Sequence, residues 1–290
     1  MLAILLAALF AGCQRKEVEA LRTIHLRGET MGTYYSVTYL LPYGVDQANL
    51  QGEIRDLFTK VDRELSNWNP DSWVSRFNRL GKGEKVPCPP HAFEVLNLSM
   101  ELAYRTKGAL DPTVAPLVAL WGFGESPGSR RVPEETEIRE TLELCGYQYL
   151  DLDPDKLAIS KQLDGVQLNL SAVAKGYTVD LVAELLTQSG IGNHLVNIGG
   201  EVRANGTKGD HTPWMIGVAG TRSSEETITE RIPMTRGAVA TSGDSQRYFE
   251  HSGRRFSHII DPRTGRPVES QLRSVSIMAP SCALADGLAT

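Results

Sequence analysis

Apolar residues return every three to four positions between Asp46 and Ser66, at Leu50, Ile54, Leu57, Phe58, Val61 and Leu65. This spacing predicts an amphipathic helix with Asp46 as its N-cap. Upstream, TIHLRGETMGTYYSVTYLL (23 to 41) carries β-branched and aromatic residues around Met31-Gly32-Thr33. It predicts two strands, or one strand broken at a glycine that marks a close backbone approach. A polar loop with Trp68 leads to a short helix through Trp73 and Phe77, then past a Gly/Pro-rich connection to a long helix near residues 91–107 with Gly108 at its C-cap. Three breakers interrupt the apolar stretch GALDPTVAPLVALWGFG, and Pro133 with Glu134 and Glu135 opens a further helix ending near Cys145-Gly146.

After residue 147 the texture changes. Short β-type runs (YLDLD, KLAIS, VQLNL) precede one helix from about 173 to 189, closed by Gly190. Strand-like runs follow at HLVNIGG, WMIGVAG, ITERIPM, AVATS, RYFEH, RFSHIID and SVSIMAP, which predicts an antiparallel sheet. Helices concentrated in the first half, with strands in the second, define an α+β fold and argue against a doubly wound parallel sheet. The final SCALADGLAT begins a helix that reaches no cap, so the chain is expected to be a C-terminally truncated fragment.

A length of 290 residues with 41% hydrophobic content supports a substantial core, and a net charge of −5 supplies no basic field for nucleic acid. The first thirteen residues, MLAILLAALFAGC, form an apolar run too short to span a bilayer but suited to a signal-peptide core. Small residues directly before Cys13 resemble a bacterial lipobox, although no Lys or Arg precedes the run and Phe10 stands where leucine is usual. The expectation is a leader and tether over residues 1–20, a folded domain over 21–290, and lipid attachment at Cys13 to a membrane of the bacterial cell envelope, facing the periplasm. Cys88, Cys145 and Cys282 are widely spaced and define neither a disulfide framework nor a thiolate metal site.

Several stretches carry candidate chemistry. LNLSAVAKGYTVD (168 to 180) reads as a strand, a turn and a helix N-terminus. Its backbone amides, with Gly176 permitting close approach and Lys175 adding a cation, suit a pyrophosphate; the plainer reading is a strand-to-helix turn with Ser171 as N-cap. In VNIGGEVRANG consecutive glycines interrupt a strand before Glu201, which fits either a flat ring against the backbone or a bulge. Asp111, between an apolar wall and Pro112, could fix a polar ring edge or cap a helix start. Asp286 and Thr290 lie four apart on one helical face, and a carboxylate, a hydroxyl and a backbone carbonyl suit a hard cation such as Mg²⁺. In FSHIIDPRTGRPV, residues His258 to Asp261 read as a strand stopped by Pro262, with Asp261 accepting from the turn amides.

Taken in order, MGTYYSVTY, LSNWNPDSWVSRFN, GALDPTVAPLVALWGFG, LNLSAVAKGYTVD, VNIGGEVRANG, ATSGDSQRYF, FSHIIDPRTGRPV and LADGLAT resemble the FAD:protein FMN transferase (ApbE) family from about residue 28 to the end. The resemblance implies an enzyme that cleaves FAD with Mg²⁺, releases AMP and places FMN on a threonine or serine hydroxyl of an exported acceptor protein. It places Met31, Trp68, Ala109, Leu110, Asp111, Asn169, Lys175 and Ile260 at FAD-contact positions, and Ala172, Asp286 and Thr290 at metal positions. Many relatives carry tyrosine at 68, aspartate at 169 and glutamate at 175; an aromatic at 68 can still stack. Ala172 offers only its carbonyl, and Ala289 stands where some relatives have a further acidic ligand, so the site is the sparser variant. His258 then falls at the flavin site with Asp286 as its catalytic companion: Ile259 and Ile260 would wall the flavin ring while His258, on the same strand, points toward the phosphates. It could act there as a base or as a charge stabiliser. Two other readings use the same pocket: an FAD pyrophosphatase that employs water, and a flavin-binding protein without turnover.

Overall fold

A computed structural model describes residues 21–124, 130–219, 228–243 and 247–290. The leader with Cys13 and the middle of ATSGDSQRYF lie outside the described residues.

β1 (Arg22–Thr30) and β2 (Thr33–Leu41) form a hairpin whose two-residue turn holds Met31 and Gly32 at φ of +52° and +71°. That left-handed pair matches the twist of the flanking strands. A Cβ at Gly32 would meet nothing within 4 Å. The glycine therefore serves the turn angle and not the close approach expected of it.

α1 (Gln47–Leu65) starts where Asp46 accepts from the Ala48 and Asn49 amides at 2.9 and 3.2 Å, and buries Leu50, Ile54, Phe58, Val61 and Leu65 as the periodicity requires. α2 (Trp73–Asn78), β3 (Val86–Pro87), α3 (Pro90–Arg105), α4 (Ala115–Leu120), α5 (Glu135–Leu142), β4 (Leu150–Asp153) and β5 (Ala158–Lys161) follow. The remainder is α6 (Ser171–Gln188), β6 (His194–Ile198), β7 (Glu201–Asn205), β8 (Trp214–Ala219), β9 (Ile228–Met234), β10 (Arg236–Gly243), β11 (Tyr248–His251), β12 (Arg254–Ser257), β13 (Ile260–Asp261), β14 (Arg266–Pro267), β15 (Ser274–Ala279) and α7 (Cys282–Ala289).

The main sheet has six strands in the order β1-β2-β6-β7-β10-β15, every neighbour antiparallel. Val37 and Tyr39 of β2, Val196 and Ile198 of β6 and Ala238 of β10 pack against Ile54 and Phe58 of α1 and Val179, Val182 and Leu186 of α6. Burial of such side chains, each worth about 1.5–3 kcal/mol, holds the helices to the sheet. The strand-like runs after residue 190 do not all enter this sheet. β8 and β9 pair with each other, and their Trp214, Ile216 and Met234 cover Val202, Ala204 and Val239 on the sheet's other face. The hairpins β11–β12 and β13–β14 join α4 and α5 in a separate apolar cluster of Leu117, Trp121, Phe123, Ile138, Phe249, Phe256 and Ile260.

The glycine pair in VNIGGEVRANG is a hairpin turn and not an interruption within one strand. Gly199 and Gly200 have φ of +65° and +108°, and Ile198 pairs with Glu201 across them. The Gly199 amide donates to the Tyr34 carbonyl at 2.9 Å, which sets this turn beside that of Met31-Gly32. The end of β10, the start of β15 and the first turns of α6 lie at the same end of the sheet, since Gly243 pairs with Ser274 and Lys175 reaches Glu201.

Candidate functional site

Lys175 on α6, Glu201 at the start of β7 and Asp286 on α7 converge at that end. The Lys175 ammonium is ion-paired with a Glu201 carboxylate oxygen, and the other oxygen, Oε2, is buried with no hydrogen-bond partner. Asp286 accepts the Gly176 amide at 2.9 Å. By helical spacing that N–H faces the Ala172 carbonyl, so the carboxylate and the carbonyl converge on one amide. Thr290, one turn beyond Asp286, donates its hydroxyl to the Asp286 carbonyl at 3.3 Å and meets the Ser242 hydroxyl at 3.2 Å.

The electrostatics follow from two buried carboxylates sharing one ammonium. Burial pushes the Asp286 pKa up to about 8, with the neighbouring Glu201 charge adding to the rise and Lys175 opposing it. Burial likewise raises Glu201 against the pull of Lys175. Burial draws the Lys175 ammonium down, but Glu201 and then Asp286 outweigh it, and the net shift is upward. Asp286, the Ala172 carbonyl and the Thr290 hydroxyl are hard oxygen donors, a set that fits Mg²⁺ once Asp286 gives up its proton. No group of three or more His, Cys, Asp and Glu side chains suited to a metal occurs among the described residues; a donor set with a single carboxylate ligand matches an ion that relies on water and phosphate oxygens.

Gly176 does permit a close approach, but by α7. A Cβ there would lie 2.8 Å from the Asp286 Cβ and closer still to the Cys282 carbonyl. The start of α7 is fixed by Asp180 of α6, whose carboxylate accepts from the Cys282 and Ala283 amides, both at 2.9 Å, and also pairs with Arg203 at 2.7 Å. Ser171 is the first residue of α6 and not its N-cap; the Asn169 side-chain oxygen accepts the Ser171 amide at 3.0 Å instead. The Asn169 amide in turn donates to the Pro112 carbonyl at 2.7 Å, tying α6 to the loop that carries Asp111.

In that loop Ala109 is exposed, whereas Leu110 joins Met31 and Ala172 around one apolar cluster. Asp111 is buried and engaged on both oxygens: Oδ1 accepts from the Thr113 amide and hydroxyl at 2.8 and 2.6 Å, and Oδ2 from the Tyr147 amide at 2.8 Å. Burial nevertheless raises its pKa. The helix-cap reading of Asp111 is not met, since α4 has Val114 at its N-cap and receives no side-chain cap; the carboxylate instead ties the loop together, with lone pairs left over for a ring edge.

Trp68 is 56% exposed, with the Arg247 guanidinium 6.0 Å from its ring centroid. The Arg247 carbonyl accepts from the His258 amide at 3.0 Å and lies 3.1 Å from His258 Nδ1. A carbonyl only accepts, so Nδ1 carries the hydrogen and the neutral ring presents Nε2 as its basic nitrogen. Arg247 thus joins Trp68 to His258. The expectation that His258, Ile259 and Ile260 share one strand is not met. β12 ends at Ser257, whose hydroxyl oxygen accepts the Ile259 amide at 3.3 Å, and pairing resumes only at Ile260. Ile260 is buried among the aromatic residues of the outer cluster. The plain reading of Asp261 holds: its Oδ1 accepts the Arg263 amide at 2.9 Å inside the hairpin turn. Glu201, Asp180 and Arg247 were not singled out by sequence reasoning, because each acts through a partner distant along the chain.

An α+β domain with a carboxylate–ammonium cluster at a helix N-terminus, and a histidine held by its Nδ1 hydrogen, is the class that the fold and site define. The ApbE family pattern matches residues 31–290, and the chain belongs to the ApbE family. A FAD:protein FMN transferase from Vibrio cholerae is 39% identical over 283 residues, spanning 97% of this chain and 83% of that protein. The FAD:protein FMN transferase of Escherichia coli K12 is 33% identical over 98% of this chain and 83% of its own. Among solved structures, the flavin transferase ApbE from Vibrio cholerae superposes with a TM-score of 0.84 at 38% identity, over 93% of this chain and 85% of that one. The apo flavinyl transferase ApbE of Pseudomonas stutzeri matches with the same TM-score of 0.84 at 36% identity, over 93% and 83%.

Proposed function

We propose that this chain is a Mg²⁺-dependent FAD:protein FMN transferase that moves FMN from FAD onto a threonine or serine hydroxyl of an acceptor protein, with release of AMP. The observation that carries this reading is the convergence of Lys175, Asp286 and the first turn of α6 at one end of the sheet, next to Met31 and the Asn169–Pro112 link. The helix N-terminus and the ammonium favour phosphate oxygens. Trp68 offers an exposed aromatic face to the flavin, and Leu110 with Met31 an apolar wall.

In the reaction the acceptor oxygen forms a bond to the phosphorus nearest riboflavin, the bridging P–O bond breaks, and AMP leaves with the electron pair. The hydroxyl proton goes to His258 Nε2, the basic nitrogen left by the Nδ1 hydrogen bond to Arg247. Asp286, the Ala172 carbonyl and Thr290 would hold Mg²⁺. When bound, that ion neutralises pyrophosphate charge. Lys175 adds a fixed cation, and Asp111 and Asn169 keep the loop and helix start in register.

Incubation with FAD, Mg²⁺ and a candidate acceptor tests the reading by in-gel flavin fluorescence. Fluorescence on the acceptor is expected. Free FMN without labelled acceptor would make the protein a pyrophosphatase, and unchanged FAD would leave it a binding protein.

The apolar leader and small residues before Cys13 support a lipid tether to the cell envelope on its periplasmic face. Cys13→Ser should shift the protein from membrane to soluble fractions; a wild type that is already soluble rejects the tether.

A further inference from the structure

Glu201 is the ionisable residue of this cluster that the flavin reading leaves without a task. Its side chain is 3% exposed, whereas that of its partner Lys175 is 32% exposed, so the lysine side chain keeps contact with solvent while the carboxylate is sealed in. One carboxylate oxygen holds the ammonium; Oε2 has no hydrogen-bond partner and lies against the Gly199 turn. Burying a carboxylate with half its acceptors unmet is unfavourable, and a buried ion pair is seldom the most stable way to fill such a space. A lysine side chain, by contrast, has considerable rotamer entropy, which a fixed counter-ion removes before any ligand arrives.

We propose that Glu201 is a positioning residue: its carboxylate holds the Lys175 ammonium at the first turns of α6, where it meets the phosphates of FAD. The inference rests on the flavin reading above. The tight Gly199-Gly200 turn is part of the device, since it delivers Glu201 to the start of β7 opposite Ile198. Asp286 is then left with the Gly176 amide and free of a direct ammonium bond.

Two roles for Glu201 differ in sign. If it merely subtracts positive charge from the site, neutralising it tightens the binding of an anionic pyrophosphate. If it positions the ammonium, neutralising it weakens binding, because Lys175 must then be ordered by the ligand itself.

FAD binding by wild type, Glu201→Gln, Glu201→Asp, Lys175→Met and the Glu201→Gln/Lys175→Met double variant is measured by flavin fluorescence without divalent metal. Riboflavin, which has no phosphates, serves as the control ligand. Glu201→Gln and Lys175→Met are each expected to weaken FAD about tenfold, and the double variant no further than either alone. Glu201→Asp should recover part of the loss, and riboflavin affinity should stay unchanged throughout. Wild-type or tighter FAD binding by Glu201→Gln, or additive losses in the double variant, overturns the positioning role. If Glu201→Gln fails to fold, the cycle between Glu201→Asp and Lys175→Met carries the same test of additivity. Failure of the wild type to bind FAD rejects the flavin reading itself and the positioning role with it, an outcome visible before any variant is compared.

Discussion

The Asp286 carboxylate of α7 accepts the Gly176 amide of α6 at 2.9 Å, across a helix contact that leaves no room for a side chain at position 176. Gly176→Ala would drive a methyl group to within 2.8 Å of the Asp286 Cβ, and backbone has to move to relieve it. Overpacking of this kind costs about 1–3 kcal/mol. Urea denaturation should show that loss, together with a weaker Mg²⁺ stimulation of transfer. A variant with wild-type stability would mean that the two helices adjust freely.

Asp286 is the only carboxylate among the residues assigned to the metal. Asp286→Asn should still bind FAD through the apolar wall and Trp68, yet lose nearly all Mg²⁺-stimulated transfer, because Mg²⁺ dehydrates reluctantly and needs an anionic ligand. A Mg²⁺ titration of FMN transfer reads this directly, and an unchanged metal dependence would reduce Asp286 to a helix-docking residue.

Asp286 also makes metal-free stability depend on pH in a defined direction. Its carboxyl titrates near 3.8 in an unfolded chain and at about 8 when folded. Between these values the folded state holds a proton that the unfolded state has lost, so stability falls as pH rises from about 4 through about 8. Asp286→Asn should flatten this decline, with a melting temperature closer to wild type at pH 4 and higher relative to it at pH 8. Parallel pH profiles for the two proteins would show that the carboxyl is not perturbed.

His258→Ala should slow transfer by about 10²–10⁴-fold with little change in FAD affinity, the range expected of a general base. Single-turnover rates beside equilibrium FAD binding separate the two quantities. A loss confined to binding would place His258 in flavin recognition.

Asp180→Ala removes the acceptor for two amides at the start of α7 and leaves Arg203, among the described residues, only the exposed Glu184 as a carboxylate partner. Losing a cap and one side of a partly buried ion pair should cost about 2–4 kcal/mol by chemical denaturation. Glu184→Ala, at the exposed end of the same network, should cost less than about 1 kcal/mol.

Local patterns were readable wherever one element carries its own signal. The apolar stripe and Asp46 cap of α1, the breakers around α4 and the helix closed by Gly190 follow from spacing and caps that neighbouring residues define. The partition of the later strands was not readable. Whether Val202 and Val239 face a helix or the β8–β9 hairpin depends on which strands pair across long chain separations, and period-2 alternation is the same in either case. The site divides in the same way. Asp286, Lys175 and His258 could be nominated from motifs taken in order, but Glu201 looked like any polar residue after a glycine pair until Lys175 was brought to it from α6. His258 looked like a strand residue because the Ser257 hydroxyl bond that breaks the strand is not visible in an apolar–polar pattern.

The Asp180 bridge has a consequence for the order in which the protein is made. Asp180 lies 102 residues before Cys282, so α7, capped locally by Ser281, gains this second anchor only once the sheet strands between them have closed that span, the slow kind of event in a chain searching for its native contacts. During synthesis the segments that carry Trp68 and Ser171 are made before Asp286. A contact that needs Asp286, such as the one with the Gly176 amide, is therefore among the last that the emerging chain can complete.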